Sequence, residues 1–331
     1  MSVAGALPWH ADQWRRLAAA RGVGRVPHAL LLAGAPGLGK SAFAQRLQNA
    51  LLCTRPEAGG DACGECDACR LSRAGTHPDC HRIAPEAEGK PIRIDAVRQI
   101  AERNVLAAQS GGYRVFVLEP ADALNRAAAN ALLKTLEEPA SRAVLILVSS
   151  HPDRLAPTVR SRCQQVRFGL PPAAEVAEWL AGRVPESEAE ELLAIAGGAP
   201  LRALEARASD WPGLARSLVT ELDALKRRRT NPLQTVQNWT GRPLNLLLGA
   251  LQRCQADLVR LAAAGPVPVL FHPNLRPELQ SLGQGIDLQA LFGFGDELAR
   301  LEREAGRNLN VQMQIEHLVN RWLDTTRPGG H

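Results

Sequence analysis

The stretch Ala29-Leu-Leu-Leu-Ala-Gly34-Ala-Pro-Gly-Leu-Gly39-Lys40-Ser41 sets the architecture of the first half of the chain. It opens as an apolar run, and Gly34 to Ser41 fit the pattern G-x-x-x-x-G-K-[ST]. A helical pattern over 40–52 follows directly. This order predicts a buried strand, a phosphate-binding loop and a helix. The alternative is a glycine-rich turn that serves only for packing.

The loop supplies the candidate nucleotide-binding residues. Its glycines let the backbone N–H groups curl inward around a phosphate, and the helix N-terminus adds positive potential. We expect Lys40 to reach the β and γ phosphates and the Ser41 hydroxyl to ligate Mg²⁺. The candidate residues are Gly34, Ala35, Pro36, Gly37, Leu38, Gly39, Lys40 and Ser41. ATP with Mg²⁺ is therefore a candidate ligand, and its binding in the cell is left open at this stage.

Further apolar runs indicate an α/β fold with a parallel sheet. Strands are predicted at 114–118 and 143–148, with a final or edge strand at 164–168. Apolar runs without alternation are typical of strands covered by helices on both faces. After Pro171-Pro172 the pattern is wholly helical. We therefore expect three domains: a nucleotide-binding type over 1–170, a helical lid over 171–209 and a helical C-terminal domain over 210–331.

The strand at 114–118 ends in residues that argue against ATP turnover. Glu119 stands where an ATPase carries the aspartate that holds Mg²⁺. Pro120 stands where the next residue would activate water, and proline can neither accept a proton nor orient water. Asp122 lies three residues further on and does not replace the base without a local distortion. The pattern predicts a nucleotide-binding or vestigial site rather than a hydrolytic one.

Four of the seven cysteines cluster in the sequence as C-x9-C-x2-C-x2-C. They are Cys53, Cys63, Cys66 and Cys69. Two overlapping C-x-x-C turns bring three thiolates to one point, and Cys53 at the end of the helix supplies the fourth. Four thiolates form a closed tetrahedral zinc site, so we expect structural zinc in a module over about 53–69. Redox chemistry and chance clustering are the alternatives. His77, Cys80 and His81 are lower-ranked substitute ligands.

Composition and charge restrict the function only weakly. The chain has 331 residues, a net charge of +5, 35 arginines and four lysines. The arginine excess is typical of a GC-rich genome, and the mild positive charge is compatible with contact to nucleic acid. The basic run 226–229 is expected to be a solvated surface rather than a DNA site. No export signal or membrane-spanning run is recognisable, so we expect a cytoplasmic protein.

Together these motifs resemble the bacterial clamp-loader subunits of the AAA+ class. Besides the phosphate loop and the cysteine insertion, the segments that carry the resemblance are 75–79 (Gly-Thr-His-Pro-Asp), 94–98 (Ile-Asp-Ala-Val-Arg), 129–139 (Ala-Asn-Ala-Leu-Leu-Lys-Thr-Leu-Glu-Glu-Pro) and 161–163 (Ser-Arg-Cys). The resemblance is strong over about 8–205 and weak in the last third, where only helical character and length agree.

The resemblance implies a place in the DNA-directed DNA polymerase III holoenzyme. There a hetero-pentamer containing tau/gamma and delta subunits loads the sliding clamp onto primed DNA, and the C-terminal domains form an oligomerisation collar. The implied role is that of a stator, a relatively rigid subunit with little or no ATPase of its own. The alternative is an ATP-hydrolysing motor subunit of the tau/gamma type, which carries an Asp-Glu pair where this chain has Glu119-Pro120.

The resemblance also assigns roles to single residues. Arg162 is the candidate arginine finger, acting in trans on the ATP site of a neighbouring subunit, and Arg160 is close enough in sequence to share that contact. Arg162 follows the strand predicted at 143–148 after a short helical segment. At this position it is poorly placed to reach the phosphate loop of its own chain. Arg202 resembles the sensor-2 arginine that touches a bound γ-phosphate. Ser149 or Ser150 corresponds to sensor 1, and the choice between them stays open.

Overall fold

The computed structural model describes residues 6–87, 89–104, 108, 112–263, 269–304 and 310–327. The chain forms two compact units, Met1–Trp179 and Leu180–His331. The predicted division into a nucleotide-binding domain over 1–170, a lid over 171–209 and a C-terminal domain over 210–331 remains a prediction. Within the described residues, no helix is long and apolar enough to cross a membrane.

The first unit is built on a five-stranded parallel sheet in the order β2-β3-β4-β1-β5. Its strands are β1 Ala29–Gly34, β2 Cys80–Ile83, β3 Arg114–Leu118, β4 Ala143–Ser149 and β5 Gln164–Phe168. The predicted α/β class and the four predicted strands are confirmed. The strand missed by sequence reasoning is β2, an edge strand with three partly buried residues and one exposed residue rather than an apolar run.

Helices connect these strands, as parallel pairing requires. They are α1 Ala11–Gly22, α2 Lys40–Leu52, α3 Asp67–Arg73, α4 Ile94–Asn104, α5 Arg126–Glu137, α6 Pro157–Arg160 and α7 Ala173–Leu180. Helix α5 begins at Arg126, because the Asn125 side chain accepts a hydrogen bond from the Ala128 amide at 2.8 Å and caps the helix.

Burial explains the apolar runs. The strands β1, β3 and β4 are buried almost throughout, whereas β5 is largely exposed at the sheet edge. The register pairs Leu30 with Gln164 and Gly34 with Phe168. Because all strands are parallel, the loops after β1, β3 and β4 emerge at the same edge of the sheet, which is where ligands bind in open α/β folds.

The second unit is entirely helical among its described residues. Its helices are α8 Glu186–Ile195, α9 Pro200–Ala208, α10 Trp211–Lys226, α11 Pro232–Thr240, α12 Leu244–Ala262, α13 Arg276–Gly283, α14 Leu288–Glu304 and α15 Val311–Thr325. Their apolar faces enclose a core around Trp239, Phe294 and Trp322.

The basic run 226–229 is partly used inside this unit. Lys226 Nζ donates to the carbonyl oxygens of Leu282 and Gln284, at 2.7 and 2.5 Å. Arg227 pairs with Asp223, one turn earlier on α10, at 2.7 Å. Arg227 also donates to Ser281 Oγ on α13 at 3.0 Å, so two of the four cations contact residues outside α10. The expectation of a solvated surface rather than a DNA site stays a prediction.

Candidate functional site

The phosphate loop joins β1 to α2 in the backbone conformation that its glycines permit. Gly37 and Gly39 have φ values of 79° and 85°, a left-handed region that other residues enter only with strain. At Gly34 a Cβ atom would lie 2.3 Å from the carbonyl oxygen of Phe168 on β5, so the close approach of these strands excludes any side chain there. The sequence motif thus forms the predicted strand, loop and helix.

Two aromatic side chains from the N-terminal segment hold the loop from outside. Trp9 Nε1 donates to the Leu38 carbonyl at 2.9 Å, and His10 Nε2 bonds to the same oxygen at 2.7 Å. Because the carbonyl oxygen of Leu38 can only accept a hydrogen bond, the neutral His10 ring carries its proton on Nε2. Burial and the nearby charge of Arg46 lower the pKa of His10 to about 4, partly opposed by the bond to Leu38. Sequence reasoning missed both residues.

Lys40, the last residue but one of the phosphate-loop motif, is 5% exposed and bonds back to the start of the loop. Its Nζ donates to the carbonyl of Ala35 at 2.7 Å. Burial lowers the pKa of Lys40 to about 8, against the opposing pull of the carboxylates of Asp122 and Glu119. These carboxylates place negative charge beside the lysine.

The carboxylates after β3 are already engaged by groups of this chain. Glu119 accepts a hydrogen bond from the Ser41 hydroxyl on one oxygen and from Arg82 on the other, at 3.0 Å. Asp122 Oδ1 accepts from the Ser149 hydroxyl at 2.7 Å and from the Ser150 amide at 3.1 Å.

This arrangement does not fit a divalent cation. Mg²⁺ needs near-octahedral oxygen ligands and is usually held by one or two carboxylates beside the phosphates. Here Ser41, the expected hydroxyl ligand, donates to Glu119, the expected carboxylate ligand. The other oxygen of Glu119 is paired with the cation of Arg82. Sequence reasoning missed Arg82, since nothing in the motif points to a residue on β2.

The four clustered cysteines converge where α2 ends and α3 begins. Cys53 is the C-terminal cap of α2, Cys66 is the N-terminal cap of α3, and Cys69 lies within α3. The sulfurs of these three residues and that of Cys63 all lie within 4.8 Å of one another. Individual S···S distances are 3.6 Å for Cys53–Cys63, 3.9 Å for Cys53–Cys66 and 4.0 Å for Cys63–Cys69.

These distances fit a tetrahedral metal. Zinc–sulfur bonds of about 2.3 Å place the sulfurs of a tetrahedron about 3.8 Å apart, whereas a disulfide needs a separation of about 2 Å. Hydrogen bonds from the amides of Glu65 and Cys66 lower the pKa of the Cys63 thiol, which favours the thiolate that binds metal. Among the described residues, this group contains neither His77, Cys80 nor His81.

The cysteine module is fixed to α1 and α2 by side chains. Arg46 on α2 donates two hydrogen bonds to Asp61, at 2.6 and 2.7 Å, and its guanidinium lies 3.7 Å from the ring centroid of Trp14. The Trp14 indole in turn donates to the Gly59 carbonyl at 3.0 Å. The module is thus coupled to the helix that begins at the phosphate loop.

Arg162 lies at the opposite edge of the sheet from the phosphate loop. It precedes the start of β5 by two residues, whereas the loop leaves β1 at the level of Phe168, the last residue of β5. The strand β5 between these two levels, Gln164–Phe168, rises by about 13 Å. Arg162 is therefore out of reach of phosphates bound at its own loop.

Partly exposed contacts hold the Arg162 side chain. Its Nη2 pairs with Glu137 Oε1 at the end of α5 at 2.6 Å, and its Nη1 donates to the Thr158 carbonyl at 3.1 Å. The side chain remains 38% exposed. Arg160, the neighbouring cation of the same motif, pairs with Asp153 instead, at 3.4 Å. The guanidinium of Arg162 is therefore held in place by Glu137 and Thr158 while part of it remains exposed at the surface of the unit.

Arg202, the candidate sensor-2 residue, lies in the first turn of α9 in the second unit. Its role toward a nucleotide remains a prediction. At the sensor-1 position, the buried Ser149 bonds to Asp122 through its hydroxyl and the neighbouring Ser150 through its amide. Both serines therefore orient the same carboxylate.

Comparisons with known proteins agree on one family. The family model described as "DNA polymerase III, delta subunit" matches residues 9–171. A Pseudomonas aeruginosa protein named DNA polymerase III subunit delta′ is 38% identical over 97% of this chain and 98% of its own length. The Escherichia coli protein of the same name is 40% identical over 60% of this chain and 59% of its own length.

Two more distant likenesses complete the comparison. A Mycobacterium bovis protein named DNA polymerase III subunit gamma/tau is 33% identical over 52% of this chain but only 29% of its own length. A crystal structure of a DNA polymerase III gamma subunit-related protein from Thermotoga maritima has a TM-score of 0.45 at 18% identity, over 96% of this chain and all of that one.

Proposed function

Because this chain belongs to the family of DNA polymerase III delta′ subunits, we propose that it is the stator of a clamp loader. In this role it joins tau/gamma and delta subunits in a hetero-pentamer that loads the sliding clamp onto primed DNA in the cytoplasm. Arg162 supplies an arginine finger in trans to the ATP site of a neighbouring subunit. A planar, permanently charged guanidinium suits the transferred γ-phosphoryl group.

The observation that carries this proposal is the separation between Arg162 and the chain's own phosphate loop, which lacks a residue to activate water. Arg162 precedes the start of β5, and its own phosphate loop lies at the other end of that strand, which rises by about 13 Å. After β3, Pro120 occupies the sequence position where a hydrolytic site needs a water-activating carboxylate. The chain has the means to assist hydrolysis elsewhere and lacks the means to perform it alone.

We also propose that the four cysteines hold one structural zinc ion. Cys53, Cys63, Cys66 and Cys69 would be its ligands, and no protein position of the tetrahedron stays open for water or substrate. Bound zinc would supply a cross-link between the end of α2 and the start of α3. Three domains, with boundaries near Pro171 and Trp211, and a collar formed by the last of them complete the proposed organisation.

Reconstitution tests the stator role. Purified chain mixed with tau/gamma and delta subunits is expected to elute as one complex with clamp- and DNA-stimulated ATPase, which depends on the presence of this chain. The chain alone is expected to hydrolyse no ATP above the rate of its Lys40→Ala variant. ATPase of the isolated chain that Lys40→Ala abolishes would favour the alternative, a motor subunit of the tau/gamma type.

A further inference from the structure

The phosphate loop carries a built-in cation at the place where a divalent ion would be held. Arg82 lies on β2, and its guanidinium pairs with Glu119 Oε2 at 3.0 Å beyond the end of β3. Glu119 accepts from Ser41 on its other oxygen. Both oxygens of Glu119, the carboxylate at the expected Mg²⁺-ligand position, are thus paired with side chains of the first unit.

The second nearby carboxylate, Asp122, is also held by the protein, through one of its two oxygens. Asp122 bonds through Oδ1 to the Ser149 hydroxyl, which is fully buried, and to the Ser150 amide. A carboxylate fixed by two donors at the end of β4 is oriented by the protein. Binding Mg²⁺ at this site would require the ion to displace the Arg82 guanidinium from Glu119 and to approach its positive charge.

The rest of the phosphate cradle is intact. Gly37 and Gly39 keep the left-handed backbone that turns the loop N–H groups inward, and Lys40 is buried beneath it. A polyphosphate in such a loop meets repulsion from a bare carboxylate after β3. The Arg82 charge neutralises Glu119, and a guanidinium also forms strong charge-assisted hydrogen bonds with phosphate oxygens.

We propose that Arg82 takes the place of the divalent cation at this phosphate loop, so that the loop binds nucleoside triphosphate without Mg²⁺. Arg82 is then a specificity-determining residue for the metal-free form of the nucleotide. Such a site retains nucleotide as a structural ligand and is unsuited to turnover, since the metal that neutralises the developing charge in phosphoryl transfer is excluded. The inference is independent of the finger role of Arg162.

Equilibrium binding of a fluorescent ATP analogue, with excess MgCl₂ or with EDTA, tests the proposal. For the wild-type chain the dissociation constants under the two conditions should agree within about twofold. In Arg82→Gln we expect binding in EDTA to weaken by about tenfold or more, the range for one lost charge-assisted hydrogen bond. Mg²⁺ should then restore part of the affinity, because Glu119 is free to ligate it.

Arg93→Gln is the matched control, because Arg93 also forms one exposed ion pair, with Glu86 at 3.4 Å, and its loss removes the same charge. It should bind as the wild type does in both conditions. Wild-type binding at least tenfold tighter in Mg²⁺ would overturn the proposal. Equal behaviour of Arg82→Gln and wild type, or no saturable binding in either condition, would overturn it as well. None of these results bears on assembly with the other subunits.

Discussion

At the scale of single residues, the contacts that shape the phosphate loop come from outside its motif. His10 and Trp9 both bond to the Leu38 carbonyl, and the His10 ring lies nearly perpendicular to the rings of Phe43 and Phe168, with centroids 5.3 and 5.1 Å away. A Cβ on Gly39 would clash with Leu7 and His10. The neutral imidazole therefore sets the position of the loop backbone.

Protonation of His10 should destabilise the fold. Its pKa is lowered from 6.5 to about 4, so the folded state binds a proton less readily than the unfolded chain. The stabilisation is fully present above pH 6.5 and is lost as the pH falls toward 4, by at most about 3 kcal/mol. In urea unfolding at several pH values, His10→Gln should lose this part of the pH dependence. The exposed His151→Gln control should keep it, and parallel curves for His10→Gln and wild type would contradict the assignment.

At the scale of elements, the cysteine module links the end of α2 to α3. Within it, Gly60 and Gly64 have φ values of 83° and 75°. Such turns have little apolar area to bury, and the small cluster around the sulfurs is made of Cys and Ala side chains. We therefore expect the module to depend on the proposed zinc ion more than on packing, as small zinc modules commonly do.

Loss of one ligand should therefore unfold the module and weaken the unit. Protein purified without chelator should carry about one zinc per chain, and Cys66→Ser well under one. The variant is expected to lose about 3 kcal/mol or more of unfolding free energy, measured in urea. Cys80→Ser, at a cysteine outside the cluster, should retain both zinc and stability. Gently purified wild-type protein with well under one zinc per chain would refute the site.

At the scale of the whole chain, the sequence was sufficient wherever the signal is local. The phosphate loop, the four-cysteine spacing and the buried strands are each recognisable within a short segment of sequence, and the fold class followed from them. The partners of Glu119 and Arg162 were not predictable in this way. Arg82 lies 37 residues before Glu119, and Glu137 lies 25 residues before Arg162. Only the strand register and the helix ends bring them together.

The same register underlies the central claim, that Arg162 acts on a neighbour's nucleotide rather than on its own. ATPase measurements on the reconstituted complex, stimulated by clamp and primed DNA, test it most directly. With Arg162→Ala we expect the complex to assemble normally while hydrolysis at the site it serves falls at least tenfold, a conservative figure for an arginine finger. The exposed Arg154→Ala control should leave hydrolysis unchanged. An Arg162→Ala complex that hydrolyses ATP at the wild-type rate would contradict the account.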